Sequence, residues 1–545
     1  MAALLAFASL LRDLLVTLVL AVCLSIGLRE GAIELARKLL LVVRQLPGIN
    51  WVIGWVLRRE VRGFLRQLDP NSFKTGPKVG LAIPQKGLSQ EKLLDELKRR
   101  KKVEIDPHTG KIFAYVYTSK DARFDTVEKA FDLFQWPDSA SNEESSQDSK
   151  SAIVKMFFHA FMHENALNPL VFPSLRQFEV ETVAMVANML NGDGNCVGTV
   201  TSGGTESLLM AIKTYRDRAR SLFPSIKHPE IVAPLTVHPA FEKAAGYFDV
   251  KIVHVPLNPN LTVNMTEYKK AITPNTILLV ASATEYCYGM VDPVEEVSQI
   301  AMDKGLPVHV DSCIGGFMLP WVEKLGYKVP VFDFRLPAVM SMSADVHKYG
   351  LGAKGASVIV YRSASIRKYQ IFAYPEWPGG LFASPSMAGT RPGGNIASSW
   401  AVLQCMGQDG YTEVAKRLME IATHMKEGIQ SIEGLYVCGT PHMTIFSFAS
   451  SDKKLGVFAL ADLMETKGWK IERQLETLHC TVLPSHTLES ANDFLKDLKE
   501  ACLTVKADPS LAKKGSAGVY GMVGVIPDKA IVKDFLIEFF NEVYS

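Results

Sequence analysis

Between residues 196 and 361 seven short apolar runs recur: CVGTVTS (196–202), EIVAPLTV (230–237), VKIVHV (250–255), TILLVAS (276–282), PVHVD (307–311), AVMSMS (338–343) and ASVIVY (356–361). They are rich in β-branched residues and too short for ordinary helices. Such runs, without polar alternation, read as strands buried on both faces. Helical patterns such as ESLLMAIKTYRDRA (206–219) and VEEVSQIAMDKG (294–305) separate many of them. The alternation predicts an α/β fold with a mainly parallel seven-stranded sheet covered on both faces. Ligands of such sheets bind beyond the carboxyl ends of the strands, so the chemistry is expected in the loops just after them.

Those loops carry a specific set of side chains. TVTSGGTES (199–207) follows the first run and opens a helix, so Ser202, Gly203, Gly204 and Thr205 offer small side chains and free N–H groups at a positive helix end. No G-K-[ST] follows, which excludes a Walker loop; a plain glycine turn with a threonine cap is the alternative. Asp311 sits at the tip of PVHVD, where a carboxylate leaving a buried strand needs a partner such as a protonated ring nitrogen, or else caps a helix together with Ser312. His238 follows another strand and is placed to lie against an aromatic ring, or to be a hydrogen-bonded core histidine. Lys348, beside His347 in SMSADVHKYGLGAKG (341–355), follows a late strand. Each signal is weak alone. Together they are the parts that hold pyridoxal phosphate: a lysine amine for its aldehyde, an aspartate to keep its ring nitrogen protonated, a histidine beside the ring and a helix end for its phosphate.

Other chemistries fit less well. HAFMHE places His159 and His163 four apart but lacks the glutamate of a zinc H-E-x-x-H helix, so no metal site is expected. No nucleophile elbow or complete dinucleotide fingerprint is present. A net charge of +2 gives no field for nucleic acid. The eight cysteines are dispersed with no C-x-x-C pair, which reads as reduced thiols facing cytosol.

The amino terminus differs from the rest. LLVTLVLAVCLSIGL (14–28) carries no charge, and only Arg12 and Asp13 separate it from MAALLAFASLL. Alone it falls short of the ~20 residues of a membrane span; joined to the preceding block it is long enough. A cleaved signal peptide is disfavoured because no basic residue precedes Arg12. Arg37, Lys38, Arg44, Arg58, Arg59, Arg62 and Arg66 then alternate with apolar residues such as Trp51, Ile53 and Trp55, a pattern that stays cytoplasmic or lies on anionic headgroups. The expected organisation is a membrane anchor with a basic amphipathic segment (1–70), an N-terminal segment (71–164), a large cofactor domain (165–394) and a smaller C-terminal α+β domain (395–545). The stretch 396–432 reads as two helices, and SASNEESSQDSK (139–150) and KADPSLAKKGSAG (506–518) read as exposed loops.

The motifs NALNPLVFPSLRQFEVE, CVGTVTSGGTESLLMAIKTYRD, VHPAFEKAAGYF, PVHVDSCIGGF, FDFRLPAVMSMSADVHKYG and AGTRPGGNIASSWA together resemble the sphingosine-1-phosphate lyases, a branch of the fold-type I pyridoxal phosphate enzymes related to the group II amino-acid decarboxylases. The similarity runs from residue 81 to the end of the chain. It implies a homodimer held to the endoplasmic reticulum membrane by a single span, with its catalytic part in the cytosol. It implies retro-aldol cleavage of a phosphorylated sphingoid base, a lipid, to a fatty aldehyde and phosphoethanolamine. It also implies that Lys354 and Tyr117 contact the substrate phosphate. Asn168 stands where relatives often carry a phosphate-contacting histidine; it can donate a hydrogen bond but brings no charge, and Asn165 is a second candidate donor. Tyr286 and Tyr288, in TEYCYG, are candidate acid–base hydroxyls, and TRPGGN brings Arg391, Gly393 and Gly394 toward the cofactor phosphate of a neighbouring subunit or forms a domain-boundary turn. A decarboxylase of the same fold would share Lys348, Asp311, His238 and the phosphate cradle without needing Lys354, Tyr117 or an anchor; an inactive membrane scaffold is the rival of another class.

Overall fold

The computed structural model describes residues 49–68, 81–102, 150–513 and 529–545. They belong to two units, Met1–Gly76 and Pro77–Ser545. In the first, one helix is described, Ile49–Leu68, which carries Arg58, Arg59 and Arg62 and leaves Trp51 and Trp55 exposed. The apolar run at 14–28 and Tyr117 lie outside the described residues, as does nearly all of the loop at 139–150. Among the described residues no helix is long and apolar enough to cross a membrane.

In the second unit all seven runs become strands of one sheet: β1 (Val197–Thr201), β2 (Glu230–Pro234), β3 (Lys251–Val255), β4 (Thr276–Ser282), β5 (Val308–Asp311), β6 (Val339–Ala344) and β7 (Ser357–Tyr361). Their order is β1-β7-β6-β5-β4-β2-β3. The pairs from β3 through β6 are parallel, and β7 runs antiparallel to both β6 and β1. Alternate residues supply opposite faces. Val232, Leu279 and Val310 enter one core, whereas Ile231, Leu278 and Val280 enter another. Helix Gly204–Leu222 covers the second through Leu208, Ile212, Tyr215 and Ala219, spaced three or four residues apart. The edge strand β3 is the least buried, and its Lys251 pairs with Glu230 at 2.9 Å, a charged rim of the kind that discourages further strand addition.

Beyond this sheet lie a hairpin of β8 (Phe372–Tyr374) and β9 (Phe382–Ser384) and a four-stranded antiparallel sheet, β10 (Leu435–Val437), β11 (Ile445–Ser450), β12 (Glu472–Arg473) and β13 (Leu478–Thr481), in the order β10-β11-β13-β12. Helices Val457–Thr466 and Leu488–Ala507 accompany it, which gives the C-terminal part the expected α+β character.

The two helices expected over 396–432 are one long element, Gly393–Gln430, broken at Gly407 (φ 62°, ψ 172°). The break has a visible cause. Residues 84–88 run through it: Leu88 N–H donates to the Gln404 carbonyl, while the N–H groups of Gln408 and Asp409 donate to the carbonyls of Pro84 and Gln85. Backbone groups freed by the kink are thereby satisfied by another segment.

Two expectations change. The loop placed at 506–518 begins within helix Leu488–Ala507 and continues as a 3₁₀ turn, Pro509–Lys513. Helix Lys150–Phe161 stops before His163, so His159 and His163 do not share a helical face despite their spacing. Among the described residues no group of His, Cys, Asp and Glu is arranged to hold a metal ion.

Candidate active site

Five strand ends converge on one cavity of about 290 Å³. Its wall takes Ser202, Gly203, Gly204 and Thr205 after β1, His238 after β2, Tyr286 after β4, Asp311 at the tip of β5, and His347 and Lys348 after β6. Nine predicted residues, spread over nearly 150 positions, are thus brought together by the parallel topology.

Each is held by local structure. Gly203 has φ 151°, a conformation that favours glycine, and turns the chain from β1 into helix Gly204–Leu222. The first-turn N–H groups of that helix have no helical acceptor and carry the positive end of its dipole. Asp311 is buried, and its Oδ1 accepts from Cys313 N–H at 3.1 Å and Ser343 Oγ at 3.2 Å. His238 Nδ1 accepts from Ala240 N–H at 3.1 Å, so in the neutral ring the proton sits on Nε2. His347 is fixed in the same way by Ala356 N–H on Nδ1 at 3.1 Å, and burial lowers its pKa.

Lys348 Nζ lies 3.0 Å from Asp345 Oδ2. Burial depresses its pKa, but the Asp345 carboxylate, with smaller contributions from Cys313 and Asp311, outweighs that and leaves the ammonium favoured. Glu285 also lines the cavity. Burial raises its pKa to about 7, against the N–H groups of Met290 and Tyr288 that bond its carboxylate at 2.9 and 3.0 Å. Asp345 and Glu285 were not singled out from sequence. An aspartate three residues before a candidate cofactor lysine, and a lone acid directly before two candidate tyrosines, were the available signals.

Among the described residues, only Tyr286 of the predicted tyrosines reaches the cavity, and the remaining predicted residues lie outside its wall. Tyr288 faces an adjoining groove rather than this cavity, and burial pushes its phenol up to about 12. Tyr286 reaches the cavity wall with its hydroxyl bonded to Glu472 and its ring stacked on His479, centroids 4.2 Å apart. Lys354 is exposed, its Nζ donating to the His347 carbonyl at 3.3 Å. Asn165 is buried, with Oδ1 accepting from Leu167 and Arg391 N–H groups at 3.0 Å. The Asn168 carbonyl accepts from Val171 and Phe172 N–H groups, ahead of helix Pro173–Met189. Gly394 lies in the first turn of helix Gly393–Gln430, against the Phe158 carbonyl. Arg391 turns inward to Glu179 and the Val200 carbonyl. Within the single chain Arg391, Gly393 and Gly394 are buried, while Thr390 and Pro392 are exposed.

The wall fits pyridoxal phosphate. Thr236 Oγ1, Thr284 Oγ1 and Asp345 Oδ1 are buried here without a hydrogen-bond partner among the described residues, and a polar aromatic ligand would meet them. The cradle tolerates no side chain at Gly204, whose added Cβ would fall 2.7 Å from Asp345 Oδ2 and 2.9 Å from Cys313 Sγ. A lysine side chain, a strand-end carboxylate and a helix end supply the amine, anion and N–H donors that the aldehyde, ring nitrogen and phosphate require.

Comparison with known proteins agrees. Residues 147–451 match the pyridoxal-dependent decarboxylase conserved domain. The chain is 36% identical over 525 residues to the sphingosine-1-phosphate lyase of Dictyostelium discoideum, covering 95% of this chain and 92% of that one. The solved sphingosine-1-phosphate lyase of Burkholderia pseudomallei superposes with a TM-score of 0.65 at 34% identity, over 78% of this chain and all of that one. A glutamate decarboxylase of Lactobacillus brevis shares the fold at 19% identity and a TM-score of 0.58, over 74% of this chain and 96% of that one. The chain belongs to the pyridoxal-dependent decarboxylase family and, within it, to the sphingosine-1-phosphate lyases.

Proposed function

We propose that the protein cleaves the C2–C3 bond of phosphorylated sphingoid bases, yielding a fatty aldehyde and phosphoethanolamine. The observation that carries this reading is the cavity in which Lys348, Asp311, His238 and the Gly203–Gly204 turn meet, in a chain similar over nearly its whole length to lyases of this substrate.

Lys348 would hold the cofactor by its ε-amine, Asp311 would face its ring nitrogen, His238 would lie against its ring, and Ser202 to Thr205 would bind its phosphate. Bound pyridoxal phosphate supplies a protonated ring that accepts the electrons of the breaking carbon–carbon bond. Asp311 would keep that nitrogen protonated, because a buried carboxylate with only Oδ1 bonded among the described residues needs a cationic partner. Cleavage requires a base at the C3 hydroxyl and an acid at C2. Burial raises the Tyr288 phenol to about 12, which favours its protonated form, and Tyr288 faces the adjoining groove. Tyr286 is the phenol at the cavity wall, and its bond to Glu472 links it to an acceptor for its proton. Lys354, exposed beside the His347 turn, offers a cation to the second phosphate, that of the substrate.

We also place the protein at the endoplasmic reticulum membrane as a homodimer. Support for the first is the uncharged run at 14–28, followed by helix Ile49–Leu68 with its arginines and exposed tryptophans. Support for the second is the β8–β9 hairpin, whose Phe372, Trp377 and Leu381 are exposed and apolar.

The test is mass spectrometry of products from a phosphorylated sphingoid base, with the unphosphorylated base and amino acids as controls. A fatty aldehyde and phosphoethanolamine from the phosphorylated base alone are expected. Carbon dioxide release from an amino acid, with no aldehyde from the base, would contradict the assignment.

A further inference from the structure

Asp345 is among the most deeply buried acids of the described residues, 1% exposed. Its carboxylate lies under the first turn of helix Gly204–Leu222, where an added Cβ on Gly204 would come within 2.9 Å of both oxygens. Oδ2 is 3.0 Å from Lys348 Nζ and 3.6 Å from His347 Nε2. Oδ1 has no hydrogen-bond partner among the described residues. The backbone sets this geometry: Asp345 N–H donates to the Cys313 carbonyl, and the Asp345 carbonyl accepts from Lys348 N–H, closing the turn that points Nζ back at the carboxylate.

A negative charge in this place is costly for structure alone. It is buried, its Oδ1 has no hydrogen-bond partner among the described residues, and although the helix end above it favours an anion, that end is where the cofactor phosphate would bind. An asparagine would fill the same space without opposing a bound phosphate.

We propose that Asp345 is the positioning residue of Lys348: its carboxylate anchors the free ε-ammonium at the cavity wall, aimed at the site where the amine bonds the cofactor. The proposal rests on the reading of Lys348 as the cofactor lysine. Other groups also face Nζ. Asp311 and Cys313 approach from the end of β5, His347 from its own turn, and Glu206, His238 and Glu285 from the facing walls. Asp345 alone forms an ion pair with it among the described residues. The anchored ammonium is the form in which a lysine can hold a proton over the reacting carbons, and Asp345 makes it the resting form whenever the amine is free.

The test uses the full chain freed of cofactor with hydroxylamine. Lys348 is acetylated in short pulses of acetic anhydride across a pH series, and its modification is read by peptide mass spectrometry with Lys354 as internal reference. In Asp345→Asn the midpoint for Lys348 should fall by about one pH unit or more, the ordinary effect of removing a close opposite charge, while Lys354 does not move. Asp345→Ser should behave alike. An unchanged Lys348 midpoint in a folded variant would overturn the proposal, and so would failure of both variants to fold, which would make Asp345 structural. The functional reading is judged separately: if borohydride fixes pyridoxal phosphate to a lysine other than Lys348 in the wild-type protein, that reading fails whatever the acetylation midpoint shows.

Discussion

Asp311 and Ser343 stand opposite each other where β5 and β6 end, and Ser343 Oγ donates to Asp311 Oδ1 at 3.2 Å. With Cys313 N–H on the same oxygen, the carboxylate is fixed in direction at the floor of the cavity. Asp311→Asn keeps the shape and removes the charge, and should lower kcat by about 100-fold or more, as loss of a preorganised electrostatic partner does. Ser343→Ala removes one hydrogen bond to that charge and should cost about tenfold. Steady-state kinetics at saturating cofactor separates the two; equal losses would mean that the charge itself is unimportant.

Among the described residues Lys354 makes only a weak bond, to a backbone carbonyl, which leaves its ammonium open to a ligand. Lys354→Ala should raise KM for a phosphorylated base by about tenfold, the usual cost of a lost charged hydrogen bond, and leave the cofactor absorbance unchanged. Parallel loss of bound cofactor would make the lysine structural.

Glu285 gives the fold a pH dependence of defined sign. Its pKa rises from 4.5 to about 7 on burial. Between those values the folded chain binds more protons than the unfolded chain, so stability falls as pH rises through this window. The loss attributable to this group is about 3 kcal/mol at most. Glu285→Gln should therefore match wild type near pH 4.5 and be the more stable protein at pH 8, as read by urea unfolding at both. A variant destabilised equally at the two pH values would show that the carboxylate serves only as a hydrogen-bond acceptor.

Gly407 breaks the long helix with a positive φ, and an added Cβ would lie 2.4 Å from Gly87 N. Gly407→Ala should destabilise the protein by about 1–3 kcal/mol, as a strained backbone residue does. Gly87→Ala should act in the same direction, because its Cβ would fall 2.0 Å from the Cys405 carbonyl. Urea midpoints test both, and an unchanged midpoint in either would mean that residues 84–88 are not stitched into the kink.

The seven strands were legible because strands buried on both faces, such as β2 and β4, appear as unbroken apolar runs. Lys348 and Asp311 were legible for the same reason, each following such a run. Sequence patterning gives no partner order, so it could not reveal that β7 runs against its neighbours or that Gly204, 141 positions earlier, lies over Asp345. Glu285 was hidden by Tyr286 and Tyr288, whose hydroxyls suggested acid–base chemistry, although burial acts on the carboxyl between β4 and its turn. Asn165 and Arg391 looked like ligand donors. In the single chain Asn165 Oδ1 accepts from Arg391 N–H and the Arg391 guanidinium pairs with Glu179, contacts between segments more than 200 positions apart.

The central claim is that the amine of Lys348, in the cavity closed by Asp311, carries the cofactor. Borohydride reduction of the purified holoenzyme followed by peptide mass mapping tests it most directly. A phosphopyridoxyl group on Lys348, absent from Lys348→Ala, is the predicted result; modification of another lysine, or of none, would contradict it.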